Sequence, residues 1–289
     1  MAADDGLGHG TAAIAPLAMR DGAALFRREW PLPLARRAVL LVHGLGEHSG
    51  RYAALARWFN QRGYAVRAYD QRGHGHSPGR RGAIARPEAL LEDLAEVYRD
   101  YAAALGFAPL LLGHSMGGLV ALRTVLDGRI APPLLALSSP LLRAHEPRWL
   151  QGLAGRLAPW LPNLPLRAGL RADRLSHDPA VGLGYRRDPL RHGWITPRLA
   201  DFLFRAAPAC VADAATLRVP TLLLYAGDDF LVDARGSRDF AAAAPPALLT
   251  AQAFDALYHE LFNETDPGRG EVLAALETWL AARDADPAR

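Results

Sequence analysis

Between Leu110 and Leu126 the chain passes from a short apolar run, Leu110–Leu112, through Gly113-His114-Ser115-Met116-Gly117, straight into the apolar helical pattern Met116–Leu126. A buried strand that breaks at G-x-S-x-G and turns at once into a helix belongs to a layered α/β arrangement. The turn is so tight that its flanking positions need residues without bulk, and it lifts the serine hydroxyl above the sheet at a helix N-terminus. Developing negative charge is favoured there by the helix dipole and by free backbone N–H groups.

The same alternation recurs along the chain. Asp21-Gly22 reads as a two-residue hairpin turn between Ala15–Arg20 and Ala23–Trp30. Ala38–Val42 is a predicted strand, Tyr52–Arg62 a helix with Leu55, Trp58 and Phe59 inward and Gly63 as its stop, and Ala65–Tyr69 the next strand. Pro87 suits the first turn of a helix reaching Leu105, with Leu90, Leu94, Val97, Tyr98 and Tyr101 toward the sheet. A strand at Leu134–Ser138 follows. The pattern resumes with strands at Thr221–Tyr225 and Leu248–Ala253 and helices at Ser237–Ala243 and Glu271–Ala282.

The interval Leu141–Ala215 differs, with eight prolines, three of the six tryptophans and no evident strand. It reads as a helical insertion, dividing the chain into a first core part (1–140), a cap (141–215) and a second core part (216–289). Trp149, Leu153, Leu157 and Leu161 recur at four-residue steps, widened by Leu150 and Trp160. That face either packs on the core or lines a pocket for an apolar ligand.

Composition excludes several classes. Half the residues are hydrophobic and 22% charged, the balance of a globular protein and not of a disordered one. All 33 basic residues are arginine, against 30 acids, without the clustering a nucleic-acid binder needs, so no nucleic-acid partner is expected. The single Cys210 rules out an internal disulfide, and no paired Cys/His spacing suggests structural zinc. The start carries Asp4 and Asp5 and no apolar h-region, and no run of 18 apolar residues occurs, so a cytoplasmic location is expected.

A serine hydroxyl is a weak nucleophile and needs a base that is itself oriented by a carboxylate. On an open parallel sheet such groups converge from loops after later strands, in the order serine, acid, histidine. Of the ten histidines, His9 is near the start, and His145, His177 and His192 fall in the interval and read as surface or lid residues. His43, His48, His74, His76 and His114 precede or adjoin the serine, where shaping residues belong; His259 remains as the base. Asp228 and Asp229 follow the strand Thr221–Tyr225; Asp229 is favoured over Asp228, with Asp233 and Asp255 read as structural, although spacing alone does not settle the choice. Gly44 and Gly46 let the backbone approach closely, so the N–H groups of Leu45 and Met116 form the expected oxyanion hole.

Taken together, five stretches resemble a known family across nearly the whole chain: His43–Tyr52, Tyr69–Ser77, Gly113–Gly118, Gly227–Asp233 and Tyr258–Glu264. The resemblance is to the monoacylglycerol lipase-like, S33-type branch of the α/β-hydrolases, which also contains lysophospholipases and other carboxylesterases. It implies the α/β-hydrolase fold, a mostly parallel twisted eight-stranded sheet flanked by helices with a helical cap after the sixth strand. It further implies a Ser115, Asp229, His259 triad and an oxyanion hole at Leu45 and Met116. Asp70 and Arg72, in the Tyr69–Ser77 loop, are expected to hold loop geometry.

The expected chemistry is cleavage of a small-molecule acyl ester through an acyl-enzyme, with no cofactor or metal. Monoacylglycerol or lysophospholipid-type esters come first, since a Leu- and Trp-rich lid favours acyl chains. A short-chain carboxylesterase or an aminopeptidase-like hydrolase is the alternative, and a silent receptor on the same fold the third. The peptidase would need an acidic cluster, whereas Glu146, Asp173, Asp178 and Asp188 are scattered. Acyl length, head group, oligomeric state and peripheral contact of the cap with a membrane or micelle stay open.

Overall fold

The computed structural model describes residues 13–284. Asp4, Asp5 and His9, and the reading of the chain's start, lie outside the described residues. In chain order the elements are β1 (Ala13–Ala18), β2 (Ala24–Trp30), β3 (Arg37–Val42), α1 (Ala53–Asn60), β4 (Tyr64–Tyr69), α2 (Ala89–Leu105), β5 (Leu110–His114), α3 (Met116–Leu126) and β6 (Leu135–Ser138). They continue with α4 (Arg148–Leu157), β7 (Leu166–Arg167), α5 (Pro179–Arg187), β8 (Trp194–Ile195), α6 (Pro197–Ala212), β9 (Thr221–Ala226), α7 (Arg235–Ala243), β10 (Leu249–Phe254) and α8 (Gly268–Asp284).

Eight strands form one sheet in the order β1-β2-β4-β3-β5-β6-β9-β10. The β1–β2 and β2–β4 pairs are antiparallel and the remaining pairs parallel. The period of two along a strand sends alternate side chains to opposite faces. Leu40 and Val42 of β3 join Leu111 of β5 in a core closed by Leu94 of α2, Leu119 of α3, Leu199 of α6 and Phe240 of α7. Val39, Leu41, Leu110 and Leu112 face the other way, onto Phe59 of α1 and Leu276 and Trp279 of α8. Both faces are covered, as parallel sheets require.

Three local expectations are corrected. The first hairpin has a three-residue loop instead of two: the N–H of Met19 still pairs with the Ala23 carbonyl, and Gly22, at φ +85°, closes the turn onto Met19. Pro87 lies in a turn before α2, not in its first helical turn. The interval after β6 does contain strands, the antiparallel pair of β7 and β8. With two residues each, they are too short to leave a periodic signal.

The apolar stripe of α4 divides between two environments. Leu150, Leu153 and Leu157 line a cavity beside Ser115. Trp149 and Trp160 point outward and are 72% and 84% exposed. The last helix of the interval, α6, is buried in the core cluster alongside α3 and α7. Among the described residues no helix is long and apolar enough to cross a membrane.

Candidate active site

Ser115 links β5 to α3 with φ +54° and ψ −122°, a conformation that L-residues adopt only under strain. Its N–H donates to the Ser138 carbonyl at 3.0 Å, and its own carbonyl accepts the Leu141 N–H at 3.1 Å. The glycines around it are sterically required. A methyl on Gly113 would lie 2.5 Å from the Gly117 oxygen, and one on Gly118 would lie 2.9 Å from Pro140 Cβ. Met116 opens α3, so its N–H is among those without an acceptor inside the helix.

His259 and Asp229 stand in the loops after β10 and β9. Their contact is a 2.7 Å hydrogen bond from His259 Nδ1 to Asp229 Oδ2, between side chains 2% and 1% exposed. Asp229 Oδ1 accepts the N–H groups of Leu231 and Val232 at 2.8 and 3.0 Å. Asp228 is exposed. Burial works to raise the Asp229 carboxyl, yet the charge of His259 and these hydrogen bonds hold it below its usual range. Burial likewise disfavours charge on His259, but the Asp229 carboxylate raises it above the ordinary histidine value.

Ser115, His259, Leu45 and Met116 all face one cavity of about 240 Å³. Its polar lining is Glu47, Arg51, His114 and Glu260 of the core with Glu146 and Arg167 of the segment after β6, and its apolar lining includes Leu45 and Val232 of the core and Leu150, Leu153, Leu166 and Leu203 of that segment. The loop after β3 lies against the nucleophile turn: a methyl on Gly44 would be 3.2 Å from Ser115 Cβ. Glu47 Oε1 accepts the Gly44 N–H at 2.6 Å. Gly46, at φ +76°, has no room for a side chain because the His192 carbonyl would lie 2.2 Å from it. The His192 N–H donates to the Gly46 carbonyl at 3.0 Å.

Around this loop the histidines take structural positions. His43 Nδ1 donates to the Gly44 carbonyl at 2.7 Å, so Nε2 accepts the Gln71 N–H at 2.9 Å. His114 is buried and tilted over His259 at 4.8 Å; burial and that neighbour push it down to about 4. Asp70 accepts the N–H groups of Ser49 and His76 at 2.7 and 2.8 Å, and Arg72 pairs with Asp93, which matches the expected loop-holding role. His145, His177 and His192 were expected on a surface or lid. His177 is exposed; His192 is buried, and His145 Nε2 donates to the Asp229 carbonyl at 3.0 Å.

Sequence reasoning missed a buried charge network in the cavity wall. Arg51 grips Glu260 through two contacts of 2.6 and 2.8 Å and reaches Glu47 Oε2 at 2.8 Å. Tyr52 donates its hydroxyl to Glu47 Oε1 at 2.8 Å. Burial opposes ionisation of Glu47, but the Arg51 charge brings its carboxyl down to about 2. The i, i+4 spacing of Glu47 and Arg51 was the one available signal. Among the described residues no group of three or more His, Cys, Asp or Glu side chains is placed to hold a metal ion.

A mostly parallel sheet whose central strand delivers a serine at a left-handed elbow, onto a pocket lined in part by the segment after β6, defines an α/β-hydrolase. The chain belongs to the family described as serine aminopeptidase, S33, which matches residues 33–266. It is 32% identical over 260 residues to a monoacylglycerol lipase of Mycolicibacterium smegmatis, covering 86% of this chain and 89% of that one. It is 31% identical over 277 residues to a monoglyceride lipase of Homo sapiens, covering 92% and 89%. The crystal structure of a monoacylglycerol lipase from Paleococcus ferrophilus superimposes with a TM-score of 0.81 at 33% identity, over 89% of this chain and 98% of that one.

Proposed function

We propose that the protein hydrolyses monoacylglycerol-type carboxylic esters through an acyl-enzyme formed on Ser115. The observation that carries this reading is the strained Ser115 elbow opening into an apolar-walled cavity shared with the His259–Asp229 pair. Relatives named as monoacylglycerol lipases, matched along most of both chains, support the substrate class. The cavity suits an ester with a polar head and an apolar tail, since its lining joins charged side chains such as Glu47 and Arg51 to apolar ones such as Leu150 and Leu153.

In the proposed reaction the His259 Nδ1 keeps its proton and donates it to the Asp229 carboxylate in a hydrogen bond, which leaves Nε2 to take the Ser115 proton as the hydroxyl attacks the ester carbonyl. The resulting imidazolium is stabilised by the Asp229 carboxylate. The N–H groups of Leu45 and Met116 receive the oxyanion, each donor contributing about 3–4 kcal/mol. Protonated His259 then releases the alcohol, and a water activated by the same imidazole frees the carboxylic acid.

Residues 141–215 form the cap in this reading, with α6 as its base. The exposed Trp149 and Trp160 make its outer face a contact for a lipid aggregate from which substrate is drawn. Of the four acidic side chains an amine-recognising peptidase could draw on in this segment, Asp188 holds His48 at 2.7 Å, Asp178 caps α5 and Asp173 pairs with Arg171, and Glu146 is the one that lines the cavity. A cytoplasmic location belongs to the same reading, and cell fractionation tests it.

The deciding experiment is a hydrolysis profile over monoacylglycerols and p-nitrophenyl esters of graded chain length, for the wild type and Ser115→Ala. Medium or long monoacyl esters are the expected best substrates, with turnover lost in the variant. A preference for acetyl esters overturns the substrate class, and an active Ser115→Ala overturns the mechanism.

A further inference from the structure

The segment Arg174–His177 carries none of the groups assigned to the reaction, yet it lies across both loops that hold Asp229 and His259. The Arg174 guanidinium covers the Phe230 ring at 4.3 Å from its centroid, and Nη1 donates to the Tyr258 hydroxyl at 3.0 Å. Phe230 immediately follows Asp229, and Tyr258 immediately precedes His259. The two rings meet edge to face at 5.5 Å, with Arg174 bridging them. One side chain from the insertion therefore touches the neighbours of both the acid and the base.

The next residues complete the strap. The Leu175 carbonyl accepts the Glu260 N–H at 2.8 Å, on the other side of His259. The Glu264 carboxylate, with no exposed side-chain surface, accepts the Tyr258 N–H at 2.7 Å, the His177 N–H at 3.0 Å and His177 Nδ1 at 3.0 Å. The His177 ring stacks on Tyr258 at 3.7 Å. Both chain neighbours of His259 are thus pinned to this segment, and the buried Leu175 lines the cavity.

We propose that Arg174 is a positioning residue for the hydrolysis: by clamping Phe230 to Tyr258 it holds Asp229 and His259 at hydrogen-bonding distance. The proposal rests on the Ser115, Asp229, His259 assignment above. The two loops leave the neighbouring strands β9 and β10, tied at their ends by the Gly227 N–H to the Phe254 carbonyl at 2.9 Å, and Arg174 adds a bridge farther along, beside the acid and the base. A loosened clamp leaves the cavity walls in place but lets the imidazole drift, which lowers turnover more than binding.

Steady-state kinetics with p-nitrophenyl butyrate, on the wild type, Arg174→Ala, Arg174→Gln, Arg174→Lys, Tyr258→Phe and Ser115→Ala, test this. Arg174→Ala and Arg174→Gln are expected to lower kcat by roughly ten- to a hundred-fold while KM stays within about two-fold. The acidic limb of their kcat/KM profile moves to lower pH, because contact with Asp229 is what raises His259. Arg174→Lys keeps a cation over the ring and a donor for Tyr258, and restores most of kcat. Tyr258→Phe, which removes only a hydroxyl, lowers kcat by a few-fold and decides the matter if the Arg174 variants do not fold. Wild-type kcat and an unmoved pH limb in Arg174→Ala, or an unchanged kcat in Tyr258→Phe, overturn the clamp while an inactive Ser115→Ala leaves the triad standing. An active Ser115→Ala overturns the triad itself.

Discussion

Asp229 is held on both oxygens, by His259 Nδ1 at 2.7 Å on Oδ2 and by the Leu231 and Val232 N–H groups on Oδ1. Asp228, one position earlier, is exposed and faces water. Asp229→Asn is therefore expected to lower kcat on the order of ten-thousand-fold, since an amide there favours the wrong imidazole tautomer. Asp228→Asn should stay within a few-fold of wild type. Equal losses in the two variants, measured as kcat on a soluble ester, contradict the assignment.

The same pair sets a pH dependence. His259 is raised above 6.5, and the base must be neutral to act, so kcat/KM should rise with pH through a midpoint above that of an ordinary histidine. The stability His259 contributes is fully present below 6.5 and is lost as pH rises through its raised value. Asp229, lowered from 3.8, contributes stability that is present above 3.8 and lost as pH falls through its depressed value. A kinetic midpoint below 6.5 in the wild type runs against this sign.

Gly117 tests the elbow itself. A methyl there would lie 2.3 Å from the Val42 oxygen and 2.4 Å from the His43 oxygen, both backbone atoms at the exit of β3. Neither can yield cheaply, so Gly117→Ala should cost about 3 kcal/mol, a fall in Tm of roughly 6–12 °C. Gly152, inside α4 with open space around it, is the control. Gly152→Ala should raise stability by up to about 1 kcal/mol through helix propensity. Thermal melts that rank the two variants the other way count against the packing described.

These two glycines also mark what a sequence reveals. The strand–serine–helix turn was legible because its requirements are local: small residues at fixed offsets and a change of hydrophobic period from strand to helix. The inward face of α2 was legible for the same reason, since Leu90, Leu94, Val97, Tyr98 and Tyr101 are all buried as their helical spacing predicts. The choice between Asp228 and Asp229 was not, because adjacent residues share one spacing and only the turn of the loop tells them apart. The hairpin was misread because Asp21-Gly22 also closes a three-residue loop, with Gly22 alone left-handed. Least legible were contacts between distant segments. Arg51 meets Glu260 and Arg174 meets Tyr258 only after folding, and no local pattern encodes either pair.

The Arg51 network gives a stability prediction. Arg51 is 12% exposed at its side chain, and Glu260 and Glu47 are 5% and 6% exposed. Arg51→Met leaves two buried carboxylates without their cation, at a cost of about 3–5 kcal/mol. Adding Glu47→Gln and Glu260→Gln to that variant should restore part of the loss, because the charges left unpaired are then gone. In the wild type the Glu47 contribution is fully present above 4.5 and disappears as pH falls toward about 2. The stability gap between Arg51→Met and the wild type, from denaturant unfolding followed by circular dichroism, should therefore narrow as pH falls, because protonation neutralises the carboxylates the variant leaves unpaired.

The proposed function makes the apolar wall the reader of substrate length. Leu150 and Leu153 of α4 face Leu166, Leu203 and other apolar groups across the cavity, so each methylene that leaves water there favours the bound chain by about 0.8 kcal/mol, roughly four-fold in kcat/KM. Along a series of esters kcat/KM should climb by that factor per methylene until the cavity is filled, then level off. Leu153→Asn wets one side of the wall without approaching Ser115. It should flatten the climb for longer chains while acetyl and propionyl esters are turned over as before, because their acyl groups do not extend along α4. Equal losses for short and long esters in Leu153→Asn would mean that the wall supports the fold and not the acyl chain, and chain-length selection would then have to lie elsewhere in the cavity.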